Sequence, residues 1–208
     1  MAGTSLELRT VTVGDWKENC YILRDAAAKE AIVVDPGAEA ERILAALDGA
    51  AVAHILITHA HGDHVGAVEA VRAATGAPVW IHPAELPALA PISHDRELAD
   101  GLELDWAGHR IRAVRTPGHT PGMISLIVDE THALVGDTIF AGGPGRTWSA
   151  DDFVTTLATL RSTILSWPDH YQCHPGHGPS FELGAVRPAI AAFAGREHPA
   201  GFHGDAEW

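Results

Sequence analysis

The sequence predicts a layered α+β fold. Short segments that are apolar or alternate apolar with polar come in runs along the chain, as strands do. Only a few stretches between them repeat apolar residues at helical spacing. Runs of strands broken by a few helices read as stacked layers around one core. A length of 208 residues fits one domain, 1–208, with a short tail from about residue 195.

The elements follow in order. Leu6–Val11, Cys20–Leu23 and Ala31–Val34 read as strands. After the turn Asp35-Pro36-Gly37, the residues Ala40, Ile43, Leu44 and Leu47 fall on one helical face. Ala53–Ile57 is a strand, and Val65 to Val71 shows helical spacing again. Strands are then expected at Pro78–Ile81, Leu102–Trp106, Ile111–Arg115, Met123–Val128 and Ala133–Val135. Phe153, Leu157, Leu160 and Ile164 mark a further helix, with Ser149 as N-cap and Asp151 and Asp152 in its first turn. A last helix covers Leu183–Phe193.

Composition narrows the function. A net charge of −13 opposes binding to nucleic-acid backbones. There is no apolar run long enough to span a bilayer and no basic, then apolar, N-terminal leader. Cys20 and Cys173 are too few for a disulfide framework, so a cytoplasmic setting is expected. The expected partner is a small-molecule substrate, with neither nucleic acid nor membrane. The 14 histidines stand out, and metal ligation is one reason to hold so many.

The densest cluster is Thr58-His59-Ala60-His61-Gly62-Asp63-His64, between an apolar strand and a helical segment. Residues i and i+2 of an extended loop point the same way, so His59 and His61 can grip one ion. Asp63 and His64, at the turn into the helix, can face a second. Four donors do not complete two sites. Three stiff loops offer more: His119 in Thr116–Gly122, Asp137 at the end of an apolar strand, and His177 in His174–Pro179. His174 competes with His177, but His177 stands between glycines.

These motifs, in the order HxHxDH, GH, GD, GHG, resemble the metallo-β-lactamase superfamily over roughly Cys20 to Phe181. Asp35-Pro36-Gly37 and Gly136-Asp137-Thr138-Ile139-Phe140 look most like its glyoxalase II branch. The resemblance implies a four-layer αββα sandwich with two divalent metal ions at one edge. Zinc is the first choice of metal, and iron or manganese are the alternatives. His59, His61 and His119 would hold one ion, Asp63, His64 and His177 the other, and Asp137 would bridge them. The implied reaction is thioester hydrolysis by a metal-bridging hydroxide attacking the carbonyl of a small acyl-thiol, with Asp63 orienting the nucleophile. A persulfide dioxygenase using one iron on His59, His119 and Asp137 is the alternative from another reaction class. A lactonase is the alternative within the hydrolases.

The family's substrate loop corresponds to 142–148, where Arg146 would pair a carboxylate and Trp148 pack on the thiol carrier. That loop here reads Gly143-Pro144-Gly145 where the family often has Gly-Cys-Gly, and a long helical C-terminal domain does not follow. Both departures point away from glutathione. Asp35 is either an anchor for a ligand histidine or simply part of a turn. His82 reads as structural and Cys173 as a buried, inert thiol.

Overall fold

The computed structural model describes residues 6–208. Strands β1 (Leu6–Val13), β2 (Glu18–Asp25) and β3 (Glu30–Val34) form an antiparallel meander. Helix α1 (Ala40–Ala46) carries the chain to β4 (Ala51–Leu56), parallel to β3. Helices α2 (Gly62–Val65) and α3 (Val68–Thr75) lead to β5 (Val79–Ile81), and α4 (Leu86–Leu89) leads to β6 (Arg96–Glu97); both strands add in parallel. These six strands make one sheet in chain order. The second sheet is β7 (Glu103–Trp106), β8 (His109–Arg115), β9 (Ile124–Val128), β10 (His132–Gly136), β11 (Gln172–Pro175) and β12 (Phe181–Glu182). Its neighbours are antiparallel except β10 and β11, which the crossover helix α5 (Ala150–Ser162) joins in parallel. Helix α6 (Leu183–Gly195) follows β12.

Alternation along the strands sorts the apolar residues into three cores. Tyr21, Leu23, Ile32 and Val34 meet Ile124 and Leu126 between the sheets. Cys20, Ile22, Ala31 and Val33 face the other way, onto Ile43 of α1 and Val68 and Val71 of α3. Beyond the second sheet, Ala133 and Val135 pack on Phe153 and Leu160 of α5 and on Ile190 and Phe193 of α6. The layers therefore run helix, sheet, sheet, helix, which is the expected αββα sandwich. Strands covered on both faces read as nearly continuous apolar runs, and this is why most were visible in the sequence.

Three strands escaped that reading. β6 and β12 are two residues each, and β11 is Gln-Cys-His-Pro, which carries no apolar pattern. The helix expected over Val65 to Val71 is broken at Gly66-Ala67. There the Ala67 N–H donates to the Pro36 carbonyl at 2.9 Å. The backbones pack so closely that a Cβ on Gly37 would lie 1.7 Å from the Asp63 carbonyl oxygen. The Asp35-Pro36-Gly37 turn thus serves as the seat of α2. Ser149 caps α5 as expected, accepting the Asp152 N–H at 3.2 Å. The tail docks on the body: Trp208 donates from its backbone to Gly142 and from its indole to Ala141. Among the described residues no helix is long and apolar enough to cross a membrane.

Candidate metal centre

Because β9 reverses between them, β8 and β10 run the same way, and β11 is parallel to β10. Their C-terminal ends open at one edge of the second sheet. The loop after β4 reaches this edge from the first sheet, where Ile124 N–H donates to the Thr58 carbonyl at 3.0 Å. The edge gathers His59, His61, Asp63 and His64 with His119, Asp137 and His177.

The donors fall into two sets, each with its ligand atoms within 4.8 Å of one another: His59, His61 and His119, then Asp63, His64 and His177. In the first, His61 Nδ1 lies 3.1 Å from His59 Nε2 and 2.9 Å from His119 Nε2. In the second, His177 Nε2 is 3.2 Å from Asp63 Oδ2. Asp137 lies between them. Its Oδ1 is 3.5 Å from His64 Nε2, and its Oδ2 is 3.6 Å from both His119 Nε2 and His177 Nε2. Tetrahedral ligands about 2.0–2.1 Å from an ion stand about 3.3 Å apart, so these separations fit such a centre.

Hydrogen bonds on the outer nitrogens aim the rings. Asp35 accepts from Thr58 N at 2.8 Å and Thr58 Oγ1 at 2.6 Å, and holds His64 Nδ1 at 3.0 Å. With its hydroxyl proton given to Asp35, Thr58 Oγ1 can accept from His59 Nδ1, 3.1 Å away. His119 Nδ1 donates to the Arg146 carbonyl at 2.7 Å and His177 Nδ1 to the Trp16 carbonyl at 3.0 Å. In all four rings Nε2 is left facing the centre; His61 presents Nδ1 instead. Outer partners of this kind fix tautomer and orientation in metal sites.

The electrostatics match. Burial holds His59 well below the ordinary imidazole pKa, and it lowers His61 and His119 too, so these rings are neutral donors. Burial also opposes charge on His64, but the carboxylates of Asp137 and Asp35 outweigh it and keep that ring protonated. His177 is likewise depressed by burial yet held above its usual value by Asp63 and Asp137. The His177 hydrogen bond brings Asp63 down to about 2. Burial raises Asp137, but the neighbouring histidines, His64 foremost, prevail and hold it ionised. The second set, with the shared Asp137, thus sets two carboxylates beside two histidines whose hold on a proton is raised, and a divalent cation would displace such protons. His64 Nε2 and Asp137 Oδ1 are buried without a hydrogen-bond partner. Buried orphans facing each other at ligand spacing fit a metal centre.

Several contributors carried no sequence signal. Glu85 accepts from Ala60 N at 2.9 Å and Gly122 N at 2.7 Å, stitching the two loops that carry the first set. Glu18 is buried beside His64 with neither oxygen partnered, and burial pushes its carboxyl up to about 10. Thr58 was visible only as the first residue of the motif. Gly176 must be glycine: a Cβ there would lie 2.3 Å from Asp137 Oδ1 and 2.5 Å from His64 Cε1. His174 turns away to His132 and Ser180, and burial lowers it to about 4. His82 caps the turn before α4 by accepting the Ala84 N–H. Cys173 is buried, which raises its thiol to about 12. Trp148 stands over His61, with ring centroids 6.0 Å apart. Arg146 contributes its carbonyl to the centre, while its side chain pairs with Asp205 at 2.7 Å.

Comparison with known proteins identifies the family. The sequence profile of the Metallo-beta-lactamase superfamily matches residues 13–207. The chain is 31% identical to the probable metallo-hydrolase YqgX of Bacillus subtilis (strain 168), over 86% of this chain and 93% of that one. It is 29% identical to the hydroxyacylglutathione hydrolase GloC of Haemophilus influenzae, over 86% and 94%. The crystal structure of TTHA1623 in a di-iron-bound form superposes with a TM-score of 0.76 at 32% identity, covering 86% of this chain and 96% of the other. By its motifs, its four layers and the match along nearly its whole length, the chain belongs to the metallo-beta-lactamase superfamily.

Proposed function

We propose that this metal-dependent hydrolase cleaves thioesters of small acyl-thiols, using two divalent ions held by His59, His61 and His119 and by Asp63, His64 and His177, with Asp137 shared. The observation that carries the reading is Asp137, whose Oδ2 stands 3.6 Å from His119 of one set and from His177 of the other, while its Oδ1 faces His64. Bound divalent ions make a nucleophile available from water at neutral pH and polarise a carbonyl. The chain's own residues do the rest. The outer hydrogen bonds of Asp35, Thr58, Arg146 and Trp16 hold the rings without reorganisation. Asp63, ionised with a pKa of about 2, is too weak a base to take a proton outright near neutrality. It orients the attacking water by accepting its hydrogen bond.

The choice of thioester is supported by the Haemophilus influenzae relative, whose name describes hydrolysis of an acylated thiol. Zinc is the first choice of metal, with iron or manganese as alternatives; the similar TTHA1623 was crystallised in a di-iron-bound form. The test is a panel of a thioester, a lactone and a persulfide, run on protein loaded separately with zinc, iron and manganese. Thioester cleavage without oxygen uptake is expected. Oxygen consumption with the persulfide, and no thioester cleavage with any metal, would overturn the proposal.

A further inference from the structure

The space before the seven donors has two lobes that share His61, His119 and Trp148 as a wall. The larger, about 730 Å³, is closed by Val13, Trp16, Ala38 and Trp148. The smaller, about 410 Å³, is closed by Ala84, Pro87, Ala88 and Pro121. Among the described residues neither lobe is lined by lysine or arginine. The charged groups beside the donors are Asp15, Glu85 and Asp152, all acidic. Lys17, next to Trp16 in sequence, is exposed and lines neither lobe, and Arg146, two residues before Trp148, is engaged by Asp205 at 2.7 Å and lies 5.1 Å from the Trp148 ring centroid. A chain of net charge −13 adds a repulsive field.

The mouth is aromatic. Trp16 is 78% exposed and Trp148 58%, and Val154 is the other large apolar side chain so exposed among the described residues. Both tryptophans line the larger lobe. The Trp16 carbonyl holds His177 of one set, and the Trp148 ring meets His61 of the other edge-on. Bare indoles grouped at a cavity mouth mark a binding surface.

From these lobes we infer that the site selects esters or thioesters whose groups on both sides of the carbonyl are uncharged and apolar, gripped by Trp16 and Trp148, and that it discriminates against thiol carriers bearing carboxylates. The inference rests on the thioesterase reading above. A carboxylated carrier such as glutathione finds no cation in either lobe and loses part of its hydration against Asp15. An apolar group finds two indoles and an alanine- and proline-walled recess.

Two arms test this and separate it from the reading beneath it. In the first, metal-loaded protein is given S-benzoyl-N-acetylcysteamine and S-benzoylglutathione, which share an acyl group. The neutral ester should have a kcat/KM at least about tenfold higher, and Trp16→Ala and Trp148→Ala should each raise its KM several-fold with kcat held. In the second, the uncleavable thioethers S-benzyl-N-acetylcysteamine and S-benzylglutathione are titrated calorimetrically. The neutral thioether should bind more tightly, and both tryptophan variants should weaken it. Tighter binding of the glutathione thioether, or tryptophan variants that bind the neutral one unchanged, overturns the inference. If the neutral thioether binds preferentially while neither thioester is cleaved, the specificity stands and the thioesterase reading falls.

Discussion

At the scale of single residues, the centre depends on what lies behind each donor. The motif His59-Ala60-His61-Gly62-Asp63-His64 was legible because its donors are close in sequence. Asp35 reads in the sequence as either an anchor or part of a turn; its bonds to Thr58 were not legible, because the two stand 23 positions apart and meet only when β3 and β4 pair. Gly176 is as constrained as the donors, because its Cα lies against Asp137 and His64. Gly176→Ala should displace those two groups by a fraction of an ångström, lower metal content and cut turnover by about 100-fold. Metal analysis and kinetics check it, and unchanged values would contradict the placement. His174 acts on stability instead. Its pKa falls from the ordinary 6.5 to about 4 on folding. The unfolded chain therefore binds this proton more readily between those values, so the stability it contributes is full above about 6.5 and is lost as pH falls toward 4. The loss approaches about 3 kcal/mol. In urea titrations at pH 7 and pH 4.5, His174→Gln should show a smaller fall in stability than the unsubstituted protein.

At the scale of elements, strands buried on both faces announced themselves, while β6, β11 and β12 were too short or too polar to do so. The break between α2 and α3 was invisible because its cause lies in Pro36 and Gly37, some thirty residues earlier. Glu85 shows the same limit: between β5 and α4 it looks like an ordinary surface glutamate, yet it is buried and joins two donor loops. Glu85→Ala leaves the Ala60 and Gly122 amides without acceptors. Buried unsatisfied donors cost about 1–3 kcal/mol each, so the variant should lose about 2–6 kcal/mol in urea unfolding. Glu85→Gln keeps one acceptor oxygen and should lose less. Equal stability of all three proteins would remove Glu85 from its bridging role.

At the scale of the whole molecule, two sheets meet at an edge where loops from both converge, and the order of motifs along the chain foretold that meeting. Of the residues lining the two lobes beside the donors, only Trp148 was expected, in the loop 142–148. Val13, Trp16, Ala84 and Pro87 share no motif and reach the site only when the layers stack. The tail is a similar case. Gly204 pairs with Thr147, Asp205 engages Arg146 and Trp208 caps Gly142, so the last residues brace the loop that supplies Trp148 and the carbonyl behind His119. Everything proposed for the centre turns on Asp137 joining two donor sets into one. Metal analysis of reconstituted protein, paired with Asp137→Ala, tests this most directly. The unsubstituted protein should hold two divalent ions per chain. The variant should lose at least one of them and about 100-fold or more of its thioesterase turnover. One ion in the unsubstituted protein, or two ions and full turnover in Asp137→Ala, would contradict the shared centre.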